Sequence, residues 1–346
     1  MIALVLGNTM AFAQKIDKNE LKQLQNFLKQ PAEREATNAA ALGITDLNAP
    51  SAWEGVTVEN SHVTKIEWKG KKLAGSLDLS GFSALASADI SRNRISELTV
   101  NNVPVLTSLN ASRNILSEFS IENAPALQAL NIYRNRLTDI DISGTPAIKN
   151  LNCSNNLLVE LNVANTPTLV TLNTQACHLE VLNVSGCTNL KNLYCGYNKL
   201  TSLTLAGVES LTNLNIDDNE ITTLYLANLP SLSTMICSDN NMTTLSVRNC
   251  NALLDLVCSF NDLTTLQVEN CPNLLFVDCS YNDLTSLNLS NQAFLQRLLC
   301  NNNQLNMLDV SFDTALTYIN CRFNMITDFR TIGCDNLQMV ACQWNY

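Results

Sequence analysis

The chain has 346 residues, 46% of them hydrophobic, and sets 31 acidic against 21 basic residues for a formal net charge of −10. So acidic a chain lacks the basic footprint that nucleic acid requires and is a poor match to anionic membrane surfaces. The imbalance is local: positions 1–150 hold 15 residues of each sign, whereas 151–346 hold 6 basic and 16 acidic residues.

Residues 1–13 are uncharged and end in Ala11-Phe12-Ala13, an apolar core followed by a small-x-small cleavage site. They read as a signal peptide, with Gln14 as the mature start and export to the periplasm, cell surface or medium as the consequence. A buried N-terminal strand is the alternative reading. No later stretch approaches the roughly 20 apolar residues of a membrane span, so no membrane insertion is expected. Residues 14–63 read as a helical N-terminal cap. Within it, 16–30 are an amphipathic helix with Asp17 and Glu20 as a capping box, Leu21, Leu24, Phe27 and Leu28 on one face, and Pro31 as the stop. Hairpin-like runs follow at 53–58 and 63–68, and Trp53 and Trp68 are placed to plug the apolar end of the first coil.

From residue 64 to 346 a repeat governs the chain. Every twenty-one residues the same slot holds Asn93, Asn114, Asn135, Asn156, Asn198, Asn219, Asn240, Asn261, Asn282, Asn303, Asn324 and Asn345, with Cys177 as the one exception. A fixed period of this length marks a solenoid, in which each unit buries its apolar side only against its neighbours. Around each mark the unit reads L-x-x-L-x-C-x-x-N-x-L-x-x-L-x-V. The L-x-C alternation makes a strand, and the buried asparagine amides are expected to bond the backbone groups left unpaired where the chain bends, as a continuous ladder. About a dozen residues remain for the return path, too few for a helix with two turns. Pro104, Pro125, Pro146, Pro167, Pro230 and Pro272 share one turn position there. A weaker unit precedes Asn93 with Lys72 in the asparagine's slot. The sequence stops one residue after Asn345, halfway round a coil, and a continuation is expected.

This unit resembles the leucine-rich repeat, whose pattern tolerates Asn or Cys at the mark. W-x-G-V from Trp53, with L-x-G at 73–75, resembles the N-terminal caps of some extracellular leucine-rich repeat proteins. The broad class is that of exported bacterial leucine-rich repeat proteins, including internalin-type adhesins. The fold expected is mainly β, a right-handed solenoid of about 13 coils with one parallel concave sheet and extended backs behind it. The unit departs from internalin repeats in length and in its cysteine strand position, so no ligand residues carry over.

The thirteen cysteines follow the repeat rather than a disulfide framework. Cys153, Cys195, Cys237, Cys258, Cys279, Cys300, Cys321 and Cys342 lie three residues before the mark, and Cys187, Cys250, Cys271 and Cys334 ten after it. In-register side chains on parallel neighbours sit about 4.8 Å apart, longer than the disulfide Cβ spacing, so these read as buried thiols. A Cys250–Cys271 bridge is the rival. No C-x-x-C pair exists and the only histidines are His62 and His178, so neither a metal nor a cofactor is expected. No phosphate loop, H-E-x-x-H or G-x-S-x-G is present, and the adjacent Cys177 and His178 point to opposite sides of an extended chain, so catalysis is not expected.

Recognition is the better-supported role. The concave face is built from residues six, four and two before each mark, with the residue one before at the rim. Arg92, Arg113 and Arg134 stack at the rim beside an asparagine column, Asn110, Asn131, Asn152 and Asn173. The centre is acidic, with Asp217, Asp218 and Asp239 flanked by Tyr194 and Tyr197, and calcium is a conceivable guest. The last coils place Phe260, Tyr281, Phe323 and Trp344 in the rim column and Phe276 and Tyr318 on the face. Such aromatics beside polar residues suit a protein partner first, a glycan second. A passive spacer presenting a further domain is the third reading. Oligomeric state is left open.

Overall fold

The computed structural model describes residues 16–289 and 292–345, so the expected signal peptide lies outside the described residues. Two compact units divide the chain, Met1–Ala147 and Ile148–Tyr346.

In the first unit, helix α1 (Lys18–Leu28) starts where the Asp17 carboxylate accepts the Asn19 and Glu20 amides at 2.8 and 3.2 Å. The expected capping box is only half made. Glu20 turns inward, is 1% exposed, and accepts the Val63 amide at 2.8 Å while meeting His62 Nδ1 at 2.9 Å. The Asp17 amide, its expected partner, is already taken by the Ser61 carbonyl at 2.7 Å. The Glu20 hydrogen bond raises the His62 pKa above its ordinary value. Leu24, Phe27 and Leu28 are buried and Leu21 half-buried; Phe27 stacks on the fully buried Trp68 at 5.9 Å between centroids. A short α2 (Asn38–Ala41) follows, and the buried Asn38 amide stitches Phe27 and Ala74 carbonyls at 2.9 and 2.8 Å.

Strands β1 (Val56–Glu59) and β2 (His62–Glu67) form an antiparallel hairpin whose two turn residues, Asn60 and Ser61, both have positive φ, the pairing a tight hairpin favours. The chain then alternates between two sheets through β3 (Ala74–Asp78), β4 (Ser87–Asp89), β5 (Arg94–Thr99), β6 (Ser108–Asn110), β7 (Glu118–Ser120) and β8 (Ala129–Asn131). The main sheet runs β1-β2-β4-β6-β8, parallel from β2 onward, and β3-β5-β7 form a parallel back sheet.

The first coil is out of register with the period. Lys65 pairs with Ser87 and Ile66 with Ala88, one residue more than the repeat, and a bulge between Gly75 and Ser76 restores the count. Gly70 donates to Ser91 as Arg92 donates to Ser112, so Lys71 faces Asn93's slot. Lys72, expected there, instead adopts a left-handed backbone at φ 62. The open edge of β3 is closed by Gln30, whose amide donates to the Ser76 carbonyl at 2.7 Å and accepts its N–H at 2.8 Å. Gly75 makes room for that clamp, since a Cβ there would lie 1.9 Å from Gln30 Oε1.

The second unit is the repeat in its regular form. Ten three-residue parallel strands, from Asn150–Asn152 to Met339–Ala341, pair in strict 21-residue register. Short parallel back sheets lie at Glu160–Asn162 with Val181–Asn183, at Thr223–Ala227, Thr244–Arg248 and Thr265–Glu269, and at Met307–Asp309 with Asp328–Arg330. In every strand but the last, the central residue (Leu214, Leu256, Leu298) and the residue two on (Ile216, Cys258, Cys300) are 0–1% exposed. Extended backs and a parallel sheet are thus both present, and almost no helix.

The mark asparagines are buried, except the half-buried Asn345, and each bonds its own coil and the preceding one. Asn240 accepts the Ile221 amide at 3.0 Å and donates to Ile216 in the preceding coil at 3.0 Å and to Cys237 in its own at 3.3 Å. The same pattern recurs at Asn219, Asn261, Asn282, Asn303 and Asn324. At the exception, the Cys177 thiol reaches the Cys153 carbonyl at 3.4 Å, but it has no oxygen to offer the Leu158 amide.

All thirteen cysteines are free thiols. Twelve are buried and Cys342 is exposed, a departure from the uniform burial expected, because no described coil packs over it. Cys250 and Cys271 share a hydrogen bond between thiols rather than a covalent bond; that bond lowers the Cys271 pKa and raises that of Cys250.

Candidate recognition surface

The rim slot has a backbone signature that sequence reading missed. Every residue immediately before a mark, from Arg92 to Trp344, has positive φ, between 52 and 58°. The strand ends there and the chain turns through the left-handed region to bring the asparagine inward. Asn155, Asp218, Asp239 and Asn302 suit that region; a bulky side chain in it costs roughly 1–2 kcal/mol. The scattered Asn and Asp residues in this column were the available signal.

Phe260 and Tyr281 stack face to face in this slot, centroids 4.3 Å apart and planes 9° apart, and are 50% and 46% exposed. Phe323 and Trp344 do the same at 4.5 Å and 4°. Asn302 separates the two pairs. Tyr197 occupies the slot alone and exposed between Ala176 and Asp218. On the sheet face, Phe276 and Tyr318 are half-buried and flank Arg297, whose guanidinium lies 5.3 and 5.6 Å from their ring centres. Arg297 belongs to the same column and would have emerged had that column been read in full. Tyr194 is half-buried on the face between Asn173 and Asn215. In the first unit, Arg113 lies over Tyr133 at 5.6 Å.

Asp217, Asp218 and Asp239 do not converge. Asp218 and Asp239 hold successive rim slots, while Asp217 sits half-buried on the face, its Oδ1 tight against Gly196. Burial raises the Asp217 pKa, and the charge of Asp217, ahead of Asp218 and Asp239, raises that of the Tyr197 phenol. Among the described residues no three His, Cys, Asp or Glu side chains are placed to hold a metal ion.

The asparagine column has a structural occupation. Asn110, Asn131, Asn152 and Asn173 each accept the amide two residues on, as do Asn215 and Asp278, at 3.0–3.2 Å. These side chains end the strand and begin the left-handed turn. Cys177 and His178 part as expected: the thiol is buried and pushed up to about 11 by desolvation, and the imidazole is exposed. A cavity of about 500 Å³ lies beside Asp17, Lys22 and His62 in the cap, and one of about 400 Å³ beside Cys271 and Gln292. A second left-handed column, nine residues after the mark, holds Asn or Gly in most coils but Phe312 in one, 72% exposed beside Ile332 at 68%.

The coil geometry defines a leucine-rich repeat solenoid. It is similar to the functional domain of InlJ from Listeria monocytogenes, at 26% identity and a TM-score of 0.53 over 87% of this chain and 59% of that one. It is also similar to YopM from Yersinia enterocolitica (25%, 0.61, 82% and 67%) and to YopM, a leucine-rich effector protein, from Yersinia pestis (21%, 0.52, 78% and 72%). These likenesses are consistent with a bacterial leucine-rich repeat protein of internalin type. The matched part spans 59% of the InlJ domain's length. That domain includes a cysteine ladder; here cysteines three residues before the mark occupy six successive coils from Cys237 to Cys342. No protein-family profile and no curated protein sequence matches the chain. Among the described residues no helix is long and apolar enough to cross a membrane.

Proposed function

We propose that the chain is an exported, non-enzymatic recognition scaffold that binds a protein partner on the sheet face and rim of coils 217–344. The observation that carries this reading is the rim column: five aromatics, 46–65% exposed, occupy a left-handed slot that Asn or Asp fills at lower cost in neighbouring coils. Stacking returns part of that cost, about 0.5–1.5 kcal/mol per pair. It does not require the rings to face solvent. Exposed aromatics on a rigid sheet are the usual anchors of protein interfaces. The leucine-rich repeat relatives support a scaffold in general, and likeness to an internalin supports export.

A glycan partner has less support. Each stacked ring keeps only one of its two faces for a sugar ring to pack on, and the Oδ1 atoms of the asparagine column, as at Asn152 and Asn173, are already taken by backbone amides. The test is a paired screen of the full chain and a Tyr281→Ala/Phe323→Ala variant on a protein array and a glycan array. Protein hits lost by the variant support the reading. Glycan hits alone, or protein hits that the variant retains, overturn it.

A further inference from the structure

Between Lys199 and Arg297 the sequence contains ten acidic residues and one basic residue, Arg248. Arg248 ends a back strand and pairs with Glu269 at 3.4 Å, so it does not face the rim. The carboxylates on the sheet side distribute around the first aromatic pair. Asp218 and Asp239 hold the two rim slots that continue the Phe260–Tyr281 stack, and Asp255 and Asp278 lie on the face of the same two coils. Asp262 and Asp283 are exposed one residue past the marks of those coils. Two stacked, solvent-exposed rings thus share their coils and the two preceding rim slots with acidic side chains, and the nearest cation on the face, Arg297 in the following coil, is engaged by the Phe276 and Tyr318 rings. The free outer face of Phe260 looks toward Asp239, one coil away at about 4.8 Å. A cation over that face would meet a ring quadrupole and a carboxylate together. The Tyr197 phenol is held above its ordinary range first by the Asp217 charge, with Asp218 and Asp239 of this patch adding to it.

We infer that this acidic and aromatic stretch of the rim docks a cationic segment of a partner protein, one that offers Arg or Lys side chains to the Phe260–Tyr281 stack. The inference rests on the recognition reading above and adds the chemistry of the partner. Charge complementarity selects the occupant: an acidic or neutral segment would leave the surrounding carboxylates repelled or uncompensated, whereas guanidinium groups stack on rings and pair with carboxylates in one geometry.

The test is fluorescence anisotropy of the full chain with three labelled peptides of one sequence, carrying Arg, Gln or Glu at the variable positions. Two charge-matched triple variants are compared: Asp239→Asn/Asp255→Asn/Asp262→Asn on the rim and face, and Glu160→Gln/Glu180→Gln/Glu269→Gln on the back. The Arg peptide is expected to bind and the Glu peptide not. Affinity should fall at least tenfold in the rim variant and in Tyr281→Ala, and less than twofold in the back variant. Equal losses in both triple variants would show only a diffuse charge effect and overturn the proposal. If Tyr281→Ala weakens the Gln or Glu peptide while the rim variant binds normally, the recognition surface stands and the cationic preference falls. If neither Tyr281→Ala nor the rim variant changes any binding, both readings fall. Thermal melts of each variant confirm that the fold is kept.

Discussion

Truncating Asn240 to alanine isolates the ladder's contribution to stability. The side chain is 6% exposed; it accepts the Ile221 amide at 3.0 Å and donates to the carbonyls of Ile216, Cys237 and Ser238 at 3.0–3.3 Å. These losses are unequal. The Ile216 carbonyl keeps the Asn219 amide at 3.0 Å, and the Cys237 carbonyl keeps Asn261 at 3.1 Å. The Ile221 N–H alone loses its partner in a dry seam. One stripped buried donor costs about 1–3 kcal/mol, and the weakened acceptors add about 1 more, so Asn240→Ala should destabilise by about 2–4 kcal/mol. Urea denaturation followed by circular dichroism measures this, with the slope checked because repeat arrays can lose cooperativity. A loss below about 0.5 kcal/mol at unchanged slope would refute the idea that the ladder satisfies backbone groups.

The converse change, Cys177→Asn, offers an oxygen to the Leu158 amide and should stabilise by about 1 kcal/mol in the same assay. Asp313 is 4% exposed in a slot that holds only uncharged residues (Cys, Val, Leu, Ala, Thr or Gln) in the other coils, and burial raises its pKa from 3.8 to about 6. Because the folded value is the higher, this group's contribution is fully present below about pH 4 and lost as pH rises through 6. Asp313→Asn should therefore stabilise by up to about 3 kcal/mol at pH 7.5 and by little at pH 3.5, as melts at the two pH values would show. Brief alkylation of the native chain followed by mass spectrometry should label Cys342 and spare the twelve buried thiols, which react once urea is added. Phe312→Asn relieves a bulky residue at φ 70 and should raise stability by about 0.5–1 kcal/mol by denaturation.

The period made the fold legible because inward slots are governed by packing alone. Leucine at the strand centre, cysteine two on and asparagine at the mark must recur wherever a neighbour must be covered. The first coil was misread at Lys72 for the reason that it is a boundary: an extra residue in the pairing and a bulge at Gly75 serve the cap, and no repeat statistic records them. Glu20 was misassigned because a capping-box spacing says nothing of a hairpin amide three elements away. The turn-forming role of the asparagine column is not legible in the sequence, because a side chain bonding its own turn leaves no long-range mark there. Arg297 stands in register between Phe276 and Tyr318, a relation visible by column and not by residue type.

Outward slots obey a different rule, and Tyr197 shows how far it can be taken. Its backbone is left-handed at φ 58, it is 54% exposed, and its rim neighbours are Ala176 and Asp218, so no ring stacks on it. For the Phe260–Tyr281 and Phe323–Trp344 pairs, stacking offsets some of the backbone cost and a purely structural role is arguable. For Tyr197 that compensation is missing, while its hydroxyl sits in the field of Asp217, Asp218 and Asp239. The phenol hydrogen-bonds the Asp217 side chain of the next coil, but both faces of its ring stay without an aromatic partner in a slot that favours asparagine. Its placement has physical sense when something outside the chain supplies the missing face, and a cation satisfies the ring and the carboxylates at once.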